Sequence, residues 1–306
     1  MKKIVHTNHR IDIDSTAKLA TILDVDKEEL FSIPQNVSVL YHKIPLKKKD
    51  GSIREINAPE NKLKEIQHKI LYKILAVNKL LPCVYGCGIG KSIIENAKKH
   101  SKGKYMVNFD IKDFFPSVHY KRIVQLYIDI GCSNSVAEVL CRLSTLDYCL
   151  PQGAPTSPYL SSLALHNLDT RLFQIAKINR ITYTRYFDDI SISGSDRVIE
   201  IKETIEKIIR SEGYQLKIAK TKIYKPNEDK EITGLIIKPD GSLDIKWKEE
   251  TMKYCNKLKQ FGLAKLKSSL IEKEKQSLYG KIVFICSVDV KYSKILYDIF
   301  KQIDWH

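Results

Sequence analysis

The 306-residue chain carries 51 Lys and Arg against 36 Asp and Glu, a formal charge of +15, with 43 % hydrophobic residues. That apolar content sustains a globular protein of two or more packed substructures. The basic excess runs along the whole chain, so a polyanion is the expected partner; nucleic acid suits it better than a membrane, because no segment approaches the ~20 continuous apolar residues of a span.

The N-terminus, Met1-Lys2-Lys3-Ile4-Val5-His6, lacks the apolar run of a secretory signal, so a cytoplasmic location is expected. Ser15 caps a predicted helix running to about Leu30, with Leu19, Ile22 and Leu23 on one side. Val39-Leu40-Tyr41, the polar turn Lys48-Lys49-Asp50-Gly51 and Ile53-Arg54-Glu55-Ile56 predict a projecting basic hairpin. Leu63, Ile66, Ile70, Ile74 and Leu75 form the apolar stripe of a helix from Asn61 to Leu80, ended by Pro82. Tyr105 to Ile111 alternates as a strand, with Tyr105, Val107 and Phe109 on one face and Met106, Asn108 and Asp110 on the other. Helices are predicted over 118–130, 134–146 and 159–177, the last preceded by an irregular stretch rich in Pro and Gly from Leu150 to Pro158.

Ile181 to Arg185 and Ile190 to Ser193 read as two strands joined at Tyr186-Phe187-Asp188-Asp189. Asp196 caps the next helix, Val198, Ile201, Ile205, Ile208 and Ile209 mark its apolar face, and Gly213 stops it. A short strand is expected near Gln215 to Ile218, another hairpin around Lys238-Pro239-Asp240-Gly241, and mainly helix from Trp247 onward. This order predicts an α+β fold: an antiparallel split β-α-β sheet with helices on one side, bringing Asp110 beside the acidic turn, and a separate basic C-terminal lobe. Seven cysteines at irregular spacing fit neither a disulfide framework nor a paired zinc pattern and are read as buried free thiols.

Two adjacent carboxylates in a tight turn repel each other, and a divalent cation converts that repulsion into a binding site. Asp110, Asp188 and Asp189, with Asp113 nearby in sequence, form an oxygen donor set suited to Mg²⁺ held by carboxylates plus substrate phosphates. That is the pattern of phosphoryl transfer, in which two ions activate a hydroxyl and stabilise the leaving oxygen.

Three blocks carry a family resemblance: Asn108-Phe109-Asp110-Ile111-Lys112-Asp113-Phe114-Phe115, Leu150-Pro151-Gln152-Gly153-Ala154-Pro155-Thr156-Ser157-Pro158, and Tyr186-Phe187-Asp188-Asp189. Their order and spacing resemble the palm motifs of reverse transcriptases. Asn96-Ala97-Lys98-Lys99-His100 matches the NAxxH signature of the retron branch, and Ile232-Thr233-Gly234 matches its VTG signature with Ile for Val. The resemblance implies a right-hand polymerase: an N-terminal helical extension over 1–36, fingers over 37–104 with part of 132–158, a palm over 105–236 and a mainly helical thumb over 237–306. It implies that Asp110, Asp188, Asp189 and the carbonyl of Ile111 hold two Mg²⁺ ions, that Phe115 is the steric gate against ribonucleotides, and that Lys48, Arg54 and Gln152 contact the incoming dNTP. Lys220 resembles the residue that protonates pyrophosphate. Asn96, His100, Ile232, Thr233 and Gly234 are implied to help bind a cognate noncoding RNA, together with the basic thumb.

The implied activity is RNA-directed DNA synthesis from a guanosine 2′-hydroxyl of that RNA, giving branched RNA–DNA (msDNA). Family partners are an effector protein, a toxin or nuclease of an anti-phage system, and a host RNase H. The competing readings are another bacterial reverse transcriptase of group II intron type, disfavoured because no maturase extension is expected after the thumb, and an idle RNA-binding scaffold, disfavoured by the intact carboxylates. Phe187 departs from the retron pattern, which has Ala there. Gly86-Cys87-Gly88-Ile89-Gly90-Lys91-Ser92 imitates a P-loop, but Tyr85 stands where its first Gly belongs and no buried strand precedes it, so a basic fingers loop is expected.

Overall fold

The computed structural model describes residues 11–35, 37–47, 51, 53–263 and 268–305. Four antiparallel strands form its central sheet: β3 (Tyr105–Asp110), β4 (Thr182–Tyr186), β5 (Asp189–Gly194) and β6 (Lys222–Tyr224), in the order β4-β5-β3-β6. Two smaller sheets flank it, the hairpin of β1 (Tyr41–Lys47) and β2 (Ile53–Pro59), and the meander of β7 (Lys230–Ile232), β8 (Leu235–Ile237) and β9 (Leu243–Ile245).

The alternation of β3 decides what lies on each side of the sheet. Val107 and Phe109 enter the larger core with Ile190 and Ile192 of β5, whereas Met106 joins a second core on the opposite face. Each such side chain, withdrawn fully from water, contributes roughly 1.5–3 kcal/mol before entropy is set against it. The larger core is completed by helices Asn61–Ile70, Tyr120–Asp129, Asn134–Ser144, Ser157–Ala164, His166–Ile178 and Lys202–Ser211. The second gathers Ala97, Met106, Ile232, Leu235, Ile237 and Ile245 with the C-terminal helices Lys248–Phe261, Ser268–Cys286 and Val290–Phe300. The meander thus packs with the C-terminal helices.

Local departures from the sequence expectations have identifiable causes. The first helix is two, Thr16–Leu23 and Lys27–Gln35, because Asp24 takes a left-handed conformation (φ 51°) and its N–H closes back on Ala20 and Thr21. The Asn61 helix becomes a π-helical turn at Leu71–Leu75 and stops short of Leu80. Helices Ser157–Ala164 and His166–Ile178 meet at Leu165 where one was expected. Residues 215–217 only bridge to β3, through Leu216 opposite Ile111, and the true edge strand is β6. All seven cysteines are free, but only Cys83, Cys132, Cys141 and Cys255 are buried; Cys286 is exposed, against the expectation of seven buried thiols. The Gly-Lys-Ser run is a loop, with Lys91 Nζ on the Pro82 carbonyl at 2.8 Å and Ser92 capping helix Ile93–His100. No helix among the described residues is long and apolar enough to cross a membrane.

Candidate active site

The register of β3 against β5 sets Asp110 opposite Asp189, and Ile111 N–H donates to the Asp188 carbonyl at 3.0 Å. Asp110, Asp188 and Asp189 are thereby brought to one end of the sheet. Tyr186 pairs with Asp189, so Phe187 and Asp188 are the two turn residues. Only Phe187 of the pair has positive φ (52°), at the first central position of the turn where glycine is the ordinary occupant. That conformation costs an L-residue about 1–2 kcal/mol, so surrounding contacts must hold it.

They do so from both sides. The Phe187 ring lies over Gly86, where an added Cβ would fall 2.7 Å from Cδ1 of the ring, and it meets Tyr186 edge-on with centroids 5.0 Å apart. Its other neighbour is Phe115, at 6.3 Å. The Phe187 carbonyl accepts from Arg185 Nη1 at 3.0 Å. Arg185 is wholly buried and grips Asp169 with Nε at 2.8 Å and Nη2 at 2.6 Å, while Tyr183 Oη donates to the same carboxylate at 2.6 Å. Asp169, on helix His166–Ile178, is also wholly buried. This bidentate pair is the geometry in which a buried ion pair repays its desolvation. The Arg185 backbone adds bonds to Cys83 and Tyr85 at 2.9 and 2.8 Å, which lash β4 to the glycine-bearing loop beneath Phe187.

Electrostatics single out the carboxylates. Burial pushes Asp189 up to about 7, with the charges of Asp188 and Asp110 adding to it and Lys220 and Lys217 opposing. Asp188 is raised too, first by burial. Asp110 meets Lys217 Nζ at 2.8 Å from Oδ1 and Lys220 Nζ at 3.0 Å from Oδ2; the first contact is an ion pair without hydrogen-bond alignment. Lys217 is fixed by its backbone N–H on the Asp110 carbonyl at 2.9 Å. Among the described residues, no three His, Cys, Asp or Glu side chains already close around a metal position. The donor set nevertheless fits a hard divalent cation: three partly buried carboxylates of raised or lysine-compensated charge gain most from positive charge placed among them.

Asp110 and Asp189 open into a cavity of about 650 Å³ shared with Lys220, Lys222, Thr233 and Gly234. Thr233 (φ 47°) and Gly234 (φ 84°) form the β7–β8 turn, so this signature lies at the acidic site itself. Asn108 Oδ1 and Thr233 Oγ1 are buried, line the cavity and have no hydrogen-bond partner among the described residues.

The other expected site residues are placed unevenly. Phe115 stands beside Phe187, in helix Phe114–Ser117. Gln152 accepts from Asn57 N–H at 2.7 Å and ties its loop to β2, the strand on which Arg54 projects to solvent. Lys48 lies outside the described residues. Asn96 and His100 are both buried, His100 between Ser193 Oγ and Thr184 Oγ1 at 2.7 Å each, with burial lowering its pKa to about 3. Both side chains face the interior, and the apolar Ile232 side chain is likewise buried. Sequence reasoning missed Lys217, three residues before Lys220, and the Arg185–Asp169 brace. The only signal for the brace was a charge inside an otherwise buried strand.

The family model described as "Reverse transcriptase (RNA-dependent DNA polymerase)" matches residues 46–255. The Retron Ec86 reverse transcriptase of Escherichia coli is 29 % identical over 286 residues, covering 90 % of this chain and 89 % of that protein. The Retron Mx162 reverse transcriptase of Myxococcus xanthus is 29 % identical over 268 residues, covering 76 % of this chain and 55 % of that one. Among solved structures, apo telomerase from Candida tropicalis superposes with a TM-score of 0.52 at 12 % identity, over 86 % of this chain and 58 % of that one. Telomerase from Candida albicans, in complex with a fragment of telomeric RNA, gives 0.50 at 14 % identity over 85 % and 59 %. These two likenesses concern the fold, a right-hand polymerase. The family match spans more than half of the residues and includes the acidic turn, so the chain belongs to the reverse transcriptase (RNA-dependent DNA polymerase) family, in its retron-type branch, and is an RNA-directed DNA polymerase, a nucleotidyltransferase.

Proposed function

We propose that this polymerase binds a structured noncoding RNA and starts DNA from a guanosine 2′-hydroxyl of that RNA, making branched msDNA within a retron anti-phage system. The observation that carries the reading is the register of Asp110 against Asp189, which opens both carboxylates into the cavity bounded by Thr233-Gly234.

In the proposed mechanism Asp110, Asp188, Asp189 and the Ile111 carbonyl would hold two Mg²⁺ ions, in keeping with a family that generally uses divalent metals. When bound, the ions lower the pKa of the attacking hydroxyl and offset charge on the leaving oxygen. The hydroxyl oxygen forms its bond to the α-phosphorus of a dNTP as the bond to pyrophosphate breaks. Lys220, 3.0 Å from Asp110, delivers a proton to the departing pyrophosphate. Phe115, backed by Phe187, excludes a ribose 2′-hydroxyl from the incoming nucleotide. Arg54, Lys48 and Gln152 hold triphosphate and template from the hairpin side. Holding a 2′-hydroxyl in line is a matter of RNA placement, and the unpartnered Asn108 Oδ1 and Thr233 Oγ1 offer hydrogen bonds for a primer nucleotide. The division into extension (1–36), fingers (37–104 with part of 132–158), palm (105–236) and thumb (237–306) belongs to the same proposal, as do a toxin or nuclease effector and template trimming by host RNase H.

The test is to purify the protein from cells expressing the RNA encoded upstream of it and look for DNA joined covalently to RNA. Branched DNA that disappears in Asp188→Asn with Asp189→Asn is expected. Its absence from wild-type preparations, or its persistence in the double variant, overturns the proposal.

A further inference from the structure

The strands that carry the carboxylates run away from them to a second cavity. Tyr105 pairs with Gly194 at the far end of β3 and β5, five residues from the Asp110–Asp189 pair, or roughly 17 Å at about 3.4 Å per residue. There a cavity of about 800 Å³ opens, lined among others by Lys102, Lys104, Lys230, Asp196 and Asp240.

Its walls are built. Gly103 presses so closely on β5 that an added Cβ would fall 2.6 Å from Ser193 Cβ, and Ser193 Oγ is bonded to buried His100. Helix Ile93–His100 is thus pinned through its last residue, and the segment it releases, Ser101 to Lys104, forms one wall. The NAxxH residues need not touch a ligand to matter; they fix the lysines that follow.

Lys230 is the second observation. Its residue is only 3 % exposed, yet its ammonium, with three protons to donate, meets a single acceptor, the Glu228 carbonyl at 3.5 Å. Among the described residues neither it nor Lys102 nor Lys104 has a carboxylate partner. Asp240 is committed to Ser242, through N–H at 2.9 Å and Oγ at 2.7 Å, and Asp196 is exposed at the rim. An ammonium buried without a counter-ion is costly, and an anion supplied from outside relieves it. Lysine ammoniums bind phosphate as point charges and read no base, which suits a backbone contact.

We infer that the Lys102–Lys104–Lys230 cavity is a phosphate site for the backbone of the folded RNA, anchoring it at the end of the sheet opposite the chemistry. This rests on the reading of the chain as a polymerase that holds a structured RNA. The probe is a synthetic RNA hairpin with a single-stranded tail, its affinity for the full chain measured across a salt series without nucleotides. Each lost phosphate contact flattens the slope of log K against log salt by about 0.7–0.9. Lys102→Gln with Lys104→Gln should weaken binding roughly tenfold at about 0.1 M salt and flatten the slope by more than about 1. Lys230→Met, which removes one contact, should weaken binding and flatten the slope by about 0.7–0.9, and Lys230→Arg should restore binding. Lys64→Gln with Lys121→Gln, which removes the same charge elsewhere, should leave the slope unchanged.

An unchanged slope in the Lys102/Lys104 pair, or an equal loss in the control pair, overturns the inference. So does a dependence on these lysines seen with the DNA hairpin of the same sequence and not with RNA. Failure of the wider reading shows differently, as wild-type protein that binds no RNA hairpin at all.

Discussion

Two ion-pair systems flank the acidic turn, and they are built on opposite principles. Behind it, Arg185 and Asp169 are completely buried, bidentate and joined by Tyr183. In front, Asp110 is shared by Lys217 and Lys220, whose side chains are 32 % and 60 % exposed. A buried pair held by three hydrogen bonds on one carboxylate is a fixed brace, because losing either partner strands a charge in low dielectric. A part-exposed lysine gains little from its carboxylate and can exchange it for a phosphate or yield it to a cation. The backbone beneath the turn is therefore rigid while the charges above it remain exchangeable, which is the division of labour a phosphoryl-transfer site needs.

The comparison breaks first if the brace is dispensable. Asp169→Asn leaves the Arg185 guanidinium buried and is expected to cost about 3–5 kcal/mol of stability in urea unfolding. A cost near that of a surface substitution would show that the pair is not a brace. Lys220→Gln should leave stability within about 1 kcal/mol, as an exposed pair allows, while slowing incorporation about 100-fold or more if the proposed proton donor is lost. A fall in stability with no change in rate would reverse the two roles.

Phe187→Ala tests the strained residue between the systems. It keeps the left-handed backbone and removes the ring over Gly86 and beside Phe115, so a loss of about 1–3 kcal/mol is expected, together with easier ribonucleotide incorporation. Unaltered sugar discrimination would disconnect Phe187 from the gate.

The smallest effect is in pH. The folded protein keeps the Asp189 proton up to about 7, whereas the unfolded chain loses it near 3.8. The fold binds more protons in that window, so stability is fully present below it and falls as pH rises through it. In chelator, Tm should drop by a few degrees between about pH 5 and pH 8, and Mg²⁺ or Asp189→Asn should remove the drop. A Tm that stays level in chelator would mean that burial and the neighbouring carboxylates do not raise Asp189.

Much of the acidic region was legible in the sequence because its information is local. The alternation of Tyr105 to Ile111 fixed which face carries Asp110, and the strand–turn–strand pattern put Asp188 in a hairpin turn, although Asp189, expected in that turn too, is the first residue of β5 and pairs with Tyr186. What was hidden depends on pairings across long separations. Asp169 and Arg185 are 16 residues apart on a helix and a strand, and neither periodicity nor spacing announces that they meet. His100 is similar: a helical stripe does not say which sheet will cover it, and Ser193 lies 93 residues on. The VTG turn is remote from the carboxylates in sequence, yet antiparallel pairing of β6 with β3 and the meander after it fold Thr233-Gly234 back onto their cavity. Helix breaks at Asp24 and Leu165 turned on single backbone conformations that residue preferences do not reveal.

The central claim, that Asp110, Asp188 and Asp189 work as one cation-dependent centre, is tested most directly by single-nucleotide incorporation on an RNA template with an annealed DNA primer, across a Mg²⁺ series. Wild type is expected to require Mg²⁺, and Asp110→Asn to lose at least about 1,000-fold in rate, roughly 4 kcal/mol, at every concentration while still binding the primer–template. Incorporation by Asp110→Asn at the wild-type rate, or wild-type synthesis undiminished in chelator, would contradict it.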